Sequence, residues 1–202
     1  MILGKWNKSV ILSYIGFLFS ICGMYFCLQK QLSYAVVCLM YAGVCDLFDG
    51  TVARMCKRTK EEKQFGIELD SLIDVTSFIA FPICLFYAMG LNEWYFLPLF
   101  GVYGIFGIAR LAHFNTIVEN DNKPVPFYHG LPVTYAALFF SIIYLLKFVL
   151  TDFVFIIVLS ILIAIVSVLY IVDVKVPKPK LLISIGLFLL AIVLTILYLF
   201  VL

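Results

Sequence analysis

The stretch DLFDGTVARMCKRTKEEKQFGIELDSLID, Asp46 to Asp74, places four aspartates between two strongly apolar runs. Asp46 and Asp49 are three residues apart; Asp70 and Asp74 are four apart. At about 100° per residue, both spacings return to one face of a helix. The stretch therefore reads as the end of one helix, a charged connection, and the start of the next. Helices joined this closely run antiparallel with neighbouring ends, so the two carboxylate pairs can face each other across one cleft. Four negative charges held that closely repel strongly unless a cation lies between them.

The surrounding chain has 202 residues, 64% of them hydrophobic and 13% charged, with a mean hydropathy of +1.12. That is far from a soluble domain and excludes a nucleic-acid-binding protein as a working class. A spanning helix needs about 20 mostly apolar residues. Seven runs qualify: Ser9 to Leu28, Leu32 to Met55, Gly66 to Gly90, Glu93 to Ile117, Leu131 to Leu150, Phe153 to Val172 and Lys180 to Leu202. The expected fold is an all-α polytopic membrane protein, one domain over residues 1–202, with its motif on the second and third helices, about 32–90. The opening MILGKWNKSVILSYIG has lysines ahead of an apolar run, as a signal peptide does. That run is about twice a signal's hydrophobic region, so it is expected to be the first span.

Lysine and arginine accumulate on the cytoplasmic side in short loops. With the N-terminus inside, that side receives Lys5, Lys8, Arg54, Lys57, Arg58, Lys60, Lys63, Arg110, Lys123, Lys175, Lys178 and Lys180, and the other side only Lys30 and Lys147. The aspartates are thus expected to open toward the cytoplasm, in what is expected to be the cell membrane. The six cysteines form no CxxC pair and lie mostly within apolar runs, so they read as small buried hydrophobes.

Hard divalent cations, such as magnesium, manganese or calcium, prefer carboxylate oxygens. Two ions with four carboxylates make a neutral site, and two ions form a clamp suited to phosphoryl-type displacement. Gly50 and Ala53 lie on or beside the Asp46 and Asp49 face and allow close approach by another helix or by a bulky ligand. Arg54, next along, is a fork-shaped donor suited to phosphate. Glu68 falls off the Asp70 and Asp74 face, and KRTKEEKQ reads as a solvated loop. The other class of protein consistent with intramembrane carboxylates is a divalent-cation transporter.

These residues resemble the signature of the CDP-alcohol phosphatidyltransferase family, D-x2-D-G-x2-A-R, a spacer, then G-x3-D-x3-D. All eight fixed positions are present: Asp46, Asp49, Gly50, Ala53, Arg54, Gly66, Asp70 and Asp74. The spacer is a few residues longer than the common form and is expected to lengthen the loop. The resemblance implies a six-helix core, with Lys180 to Leu202 as one additional C-terminal transmembrane helix. It also implies transfer of a phosphatidyl group from a CDP-linked lipid to an alcohol, releasing CMP. By position, Asp46, Asp49, Asp70 and Asp74 would hold two divalent ions (Mn or Mg), with Asp74 also the catalytic base. Gly50, Ala53 and Arg54 would line the CDP-lipid pocket. Apart from the motif, Ser13 and Asn7, near the first helix's cytoplasmic end, are further candidates for touching the nucleotide. Dimerisation is common in that family, so a homodimer is left open.

IARLAHFN, Ile108 to Asn115, and FYHGLPVTYAA, Phe127 to Ala137, resemble the branch of the family that uses CDP-diacylglycerol and L-serine. Arg110, an arginine inside an apolar run, is the candidate for recognising the acceptor, with Asn115 and His113 nearby; its alternative is snorkelling to the interface. Gly130 and Pro132 read as a helix-start device. Glycerol 3-phosphate and inositol remain the rival acceptors.

Overall fold

A computed structural model describes residue 4 and residues 7–120, 127–177 and 181–201. Lys5, Lys123, Lys178 and Lys180 lie outside the described residues. The helices are α1 (Ile11–Leu28), α2 (Leu32–Met55), α3 (Lys60–Val75), α4 (Phe81–Ala88), α5 (Leu97–Asn120), α6 (Tyr135–Ile143), α7 (Asp152–Ile171) and α8 (Leu181–Ile196). A π-helical turn, Thr76–Ala80, fuses α3 and α4 into one rod, so seven rods correspond to the seven apolar runs. Six of them are long and apolar enough to cross a membrane, and the protein is a multi-pass membrane protein.

The central rod is α2, which packs against α1, α4, α6 and α8, while α5 packs against α7. Small residues set its distances. A Cβ on Gly43 would stand 2.7 Å from the Ala137 Cβ of α6, so the two backbones meet almost directly. In α1, a Cβ on Gly23 would stand 2.0 Å from the ring of buried Phe81 in α4. Phe86, Phe140 and Tyr103 build the aromatic centre, with Phe86 and Phe140 rings 4.5 Å apart.

The fifth run differs from its expected span. Its helical part is Tyr135–Phe148, of which Tyr144–Phe148 is 3₁₀. Gly130, at φ +74°, and Pro132 turn the chain before α6 starts. A Cβ on Gly130 would lie 2.9 Å from the Tyr170 carbonyl, so only glycine fits both the conformation and the contact. The Leu131 amide then donates to the Leu169 carbonyl at 3.0 Å, satisfying an acceptor near the end of α7. Two three-residue strands, β1 (Phe127–His129) and β2 (Lys175–Pro177), pair antiparallel beside this turn and were not anticipated.

The reading of KRTKEEKQ as a solvated loop is corrected: α3 already begins at Lys60, leaving Cys56–Thr59 as the connection from α2. The cause is a capping box. Thr59 Oγ1 accepts from the Glu62 amide at 3.2 Å, and the Glu62 carboxylate accepts from the Thr59 amide at 2.8 Å. The extra spacer residues therefore lengthen a helix and not a loop. Replacing Thr59 by alanine should cost about 1 kcal/mol of local stability. Hydrogen exchange should show faster amide exchange in the first turn of α3 and little change at Asp70.

Candidate functional site

Asp46 lies nine residues before the end of α2, about 13 Å inside the helix at 1.5 Å per residue. Asp70 lies ten residues into α3, about 15 Å from its start. Both pairs therefore sit well within their rods, and the antiparallel packing places them at one level. One carboxylate oxygen each from Asp46, Asp49 and Asp70 lies within 4.8 Å of the others, a group made of carboxylates only. Asp74 is outside that triad but its carboxyl lies against that of Asp46, as Asp49's does against Asp70's. Asp74 is the most enclosed of the four, at 8% exposure, and its Oδ1 is buried without a hydrogen-bond partner among the described residues.

Neighbouring helices hold the carboxylates in place. Ser13 of α1 donates to Asp49 Oδ2 at 2.9 Å. Thr134, at the start of α6, donates to Asp46 Oδ2 at 2.7 Å. Two neutral donors do not balance the converging carboxylates. The all-oxygen donor set and the orphaned Asp74 oxygen fit hard divalent cations.

The aspartates line a cavity of about 750 Å³ whose walls come from α1, α2, α3, α5, α6 and α8. Gly50 and Gly66 are at its mouth, and neither serves helix packing. A Cβ on Gly50 would meet only Arg54 Nη1, at 3.8 Å, and one on Gly66 only Arg58 Nη1, at 3.7 Å. Of the two readings of Gly50, close approach by a helix is removed by this geometry. Ala53 and Arg54 also line the cavity; Arg54 is exposed at the rim and donates to Thr51 Oγ1 at 3.0 Å.

Arg110 of α5 is 7% exposed, lines the same cavity, and stands with its guanidinium 5.1 Å over the Phe114 ring. It does not snorkel to the interface. Its charge reaches Asp46 on one side and Tyr170 on the other. Tyr170 donates to Tyr103 Oη at 3.3 Å, and Tyr103 donates to the Phe78 carbonyl at 2.6 Å, within the π-helical turn one turn past Asp74. That chain ties α7, α5 and the motif-bearing rod together behind the site. Asn115 donates to Ser71 Oγ at 2.8 Å and lines the cavity, whereas His113 is exposed and does not.

Three contributors were missed in the sequence: Thr134, Ser71 and Arg58. Arg58 precedes α3, lines the cavity, and buries its Nε without a partner among the described residues. Its only signal was a cluster of basic residues that the positive-inside pattern already accounts for. Ser184, Leu187, Leu190, Ala191 and Leu194 show that α8, expected as an addition to the core, is also a wall of the cavity.

Several curated proteins are similar to this chain in sequence. The chain is 33% identical over 136 residues to the archaetidylserine synthase of Methanothermobacter thermautotrophicus, covering 67% of this chain and 53% of that protein. It is 30% identical over 126 residues to the CDP-diacylglycerol--serine O-phosphatidyltransferase of Bacillus subtilis, covering 58% and 66%. With the Saccharomyces cerevisiae protein of the same description it shares 33% identity over 97 residues, covering 45% and 34%. The chain thus spans about a third to two thirds of the length of these relatives. The family described as CDP-alcohol phosphatidyltransferase matches residues 6–163, which takes in every aspartate of the cluster and five of the seven rods in full. With that match across most of its length, the chain belongs to the CDP-alcohol phosphatidyltransferase family.

Proposed function

We propose that residues 1–202 form a single catalytic domain that makes phosphatidylserine. The lipid-side phosphorus of CDP-diacylglycerol gains a bond to the hydroxyl oxygen of L-serine and loses its bond to the oxygen bridging to CMP, which leaves. The observation that carries this reading is the convergence of Asp46, Asp49 and Asp70 within 4.8 Å in a cavity whose other side is apolar, lined by Leu138, Leu187, Leu190 and Leu194. The names of the Saccharomyces cerevisiae and Bacillus subtilis relatives support CDP-diacylglycerol and serine, and that of the archaetidylserine synthase supports serine as the acceptor.

Asp46, Asp49, Asp70 and Asp74 would hold two divalent ions, Mn or Mg, which when bound neutralise phosphate charge on the donor and the leaving group. Asp74 takes the proton from the serine hydroxyl; its enclosed position with an unsatisfied oxygen suits a group that must exchange a proton with substrate. Ser13 and Thr134 fix the orientation of Asp49 and Asp46 so that the reacting groups meet a preset geometry. Gly50 and Ala53 leave room for the nucleotide, and Arg54 and Arg58 meet its phosphates from the rim. Arg110, with Asn115 beside it, holds the serine carboxylate. The basic residues favour a cytoplasmic opening in the cell membrane.

Two variants probe the pocket. Gly50→Val fills space that no protein atom occupies, so the fold should persist while affinity for CDP-diacylglycerol falls on the order of tenfold; lipid-dependent thermal shifts check this. Arg110→Lys keeps the charge but loses the fork. It should raise KM for serine about tenfold and leave KM for the lipid within about twofold. Equal effects on both substrates would remove Arg110 from the acceptor role.

A further inference from the structure

Apolar burial anchors α4 and leaves α3 largely unanchored. In α4, Phe81, Leu85 and Phe86 are fully buried, and the Phe81 ring lies against Gly23 of α1. In α3 the one buried residue is Asp74. The placement of Asp74 is therefore set less by α3 itself than by the π-helical turn, Thr76–Ala80, that joins it to α4. In that turn the Phe81 amide donates to the Thr76 carbonyl five residues back, one more than in an α-helix. The extra residue offsets α3 from α4 by about 100° around the rod.

Hydroxyls from two neighbouring rods hold the turn. Pro82 has no N–H, so the Phe78 carbonyl four residues before it lacks the donor that an α-helix would give it. The Tyr103 hydroxyl of α5 supplies one at 2.6 Å, and both residues are buried. On the α1 side, the Ser77 hydroxyl pairs with that of Ser20 at 2.7 Å, again with both residues buried. We propose that Tyr103 is a positioning residue for Asp74: by taking the carbonyl that Pro82 leaves open, its hydroxyl holds the π-helical turn and with it the place of Asp74 against Asp46. A buried carbonyl without a donor is costly, so a turn deprived of this hydroxyl relaxes toward another geometry. Asp74, two residues before the turn, moves with it. This rests on the reading of Asp74 as part of the reacting site and adds the group that sets its place.

The test is a double-mutant cycle on the purified protein. Tyr103→Phe keeps the ring packed between Phe86 and Phe140 and removes only the hydroxyl. It should lower kcat for CMP release about tenfold and leave KM for CDP-diacylglycerol within about twofold. In the Asp74→Asn background the same substitution should change kcat by less than about twofold, because a group that acts through Asp74 has nothing left to place. Tyr198→Phe removes an equally buried hydroxyl from the Ser141 carbonyl, beside Tyr144 and so near Ser33 at the start of α2. It should lower the melting temperature comparably and leave kcat at the parent's value. The same cycle is read without turnover as manganese affinity by paramagnetic resonance: Tyr103→Phe should weaken binding about threefold in the parent and not in Asp74→Asn. Unchanged kcat in Tyr103→Phe, or equal losses in the two backgrounds, would overturn the proposal. No CMP release by the parent with any acceptor, or full release by Asp74→Asn, would strike at the reading of the site instead and leave the manganese cycle to decide the role of Tyr103.

Discussion

Asp74→Asn will reduce CMP release by about 10²- to 10⁴-fold while CDP-diacylglycerol still binds within a few-fold of the parent. Asparagine keeps the size and both polar atoms of the side chain but accepts no proton. Asp74 lies behind Asp46 and outside the tight triad, so the triad's three oxygens are kept in the variant. Removal of the base should therefore appear in kcat and not in lipid affinity. Single-turnover CMP release alongside lipid-dependent thermal shift separates the two. An equal loss of lipid affinity would make Asp74 a binding residue instead, and unchanged turnover would remove it from the reaction.

Chelation of divalent ions should lower turnover on the order of 10³-fold, with recovery on adding manganese or magnesium. The same loss, without recovery, is expected for Asp46→Asn. The reason is electrostatic: Asp46, Asp49, Asp70 and Asp74 converge in a cavity where Ser13 and Thr134 are neutral donors and Arg110 is the enclosed cation. Metal binding can be followed without turnover, by manganese paramagnetic resonance on the purified protein. Asp46→Asn should bind fewer or weaker ions. Full activity after exhaustive chelation would break the account of the acidic cluster.

Much of this was legible because charge is conspicuous in an apolar chain. The paired spacings of Asp46, Asp49, Asp70 and Asp74 fixed their faces, and the shortness of the connection made their helices neighbours. Arg110 stood out for the same reason. Thr134 and Ser71 were not legible, because a hydroxyl is ordinary in any helix and their partners lie 88 and 44 residues away. The start of α3 was readable in principle from Thr59 and Glu62, a T-x-x-E pair. The polar run after it lacks an apolar face, and that polarity suggested a loop. The role of α8 was hidden for the opposite reason. A helix in lipid is apolar on its outer and inner faces alike, so its periodicity does not say which face meets the protein. Ser184 and Thr195 are the polar residues of α8, and the place of Ser184 on the cavity wall emerges from the packing of α8 on α2.

The most direct test of the central claim is CMP release by the purified protein in detergent with CDP-diacylglycerol, offering serine, inositol and glycerol 3-phosphate separately, with and without manganese or magnesium. The account predicts release that requires both a divalent ion and serine. Metal-dependent release with inositol or glycerol 3-phosphate instead would contradict the assignment of serine and of Arg110. Silence with all three acceptors, together with manganese uptake into proteoliposomes, would contradict the transferase account and make the aspartates part of an ion path.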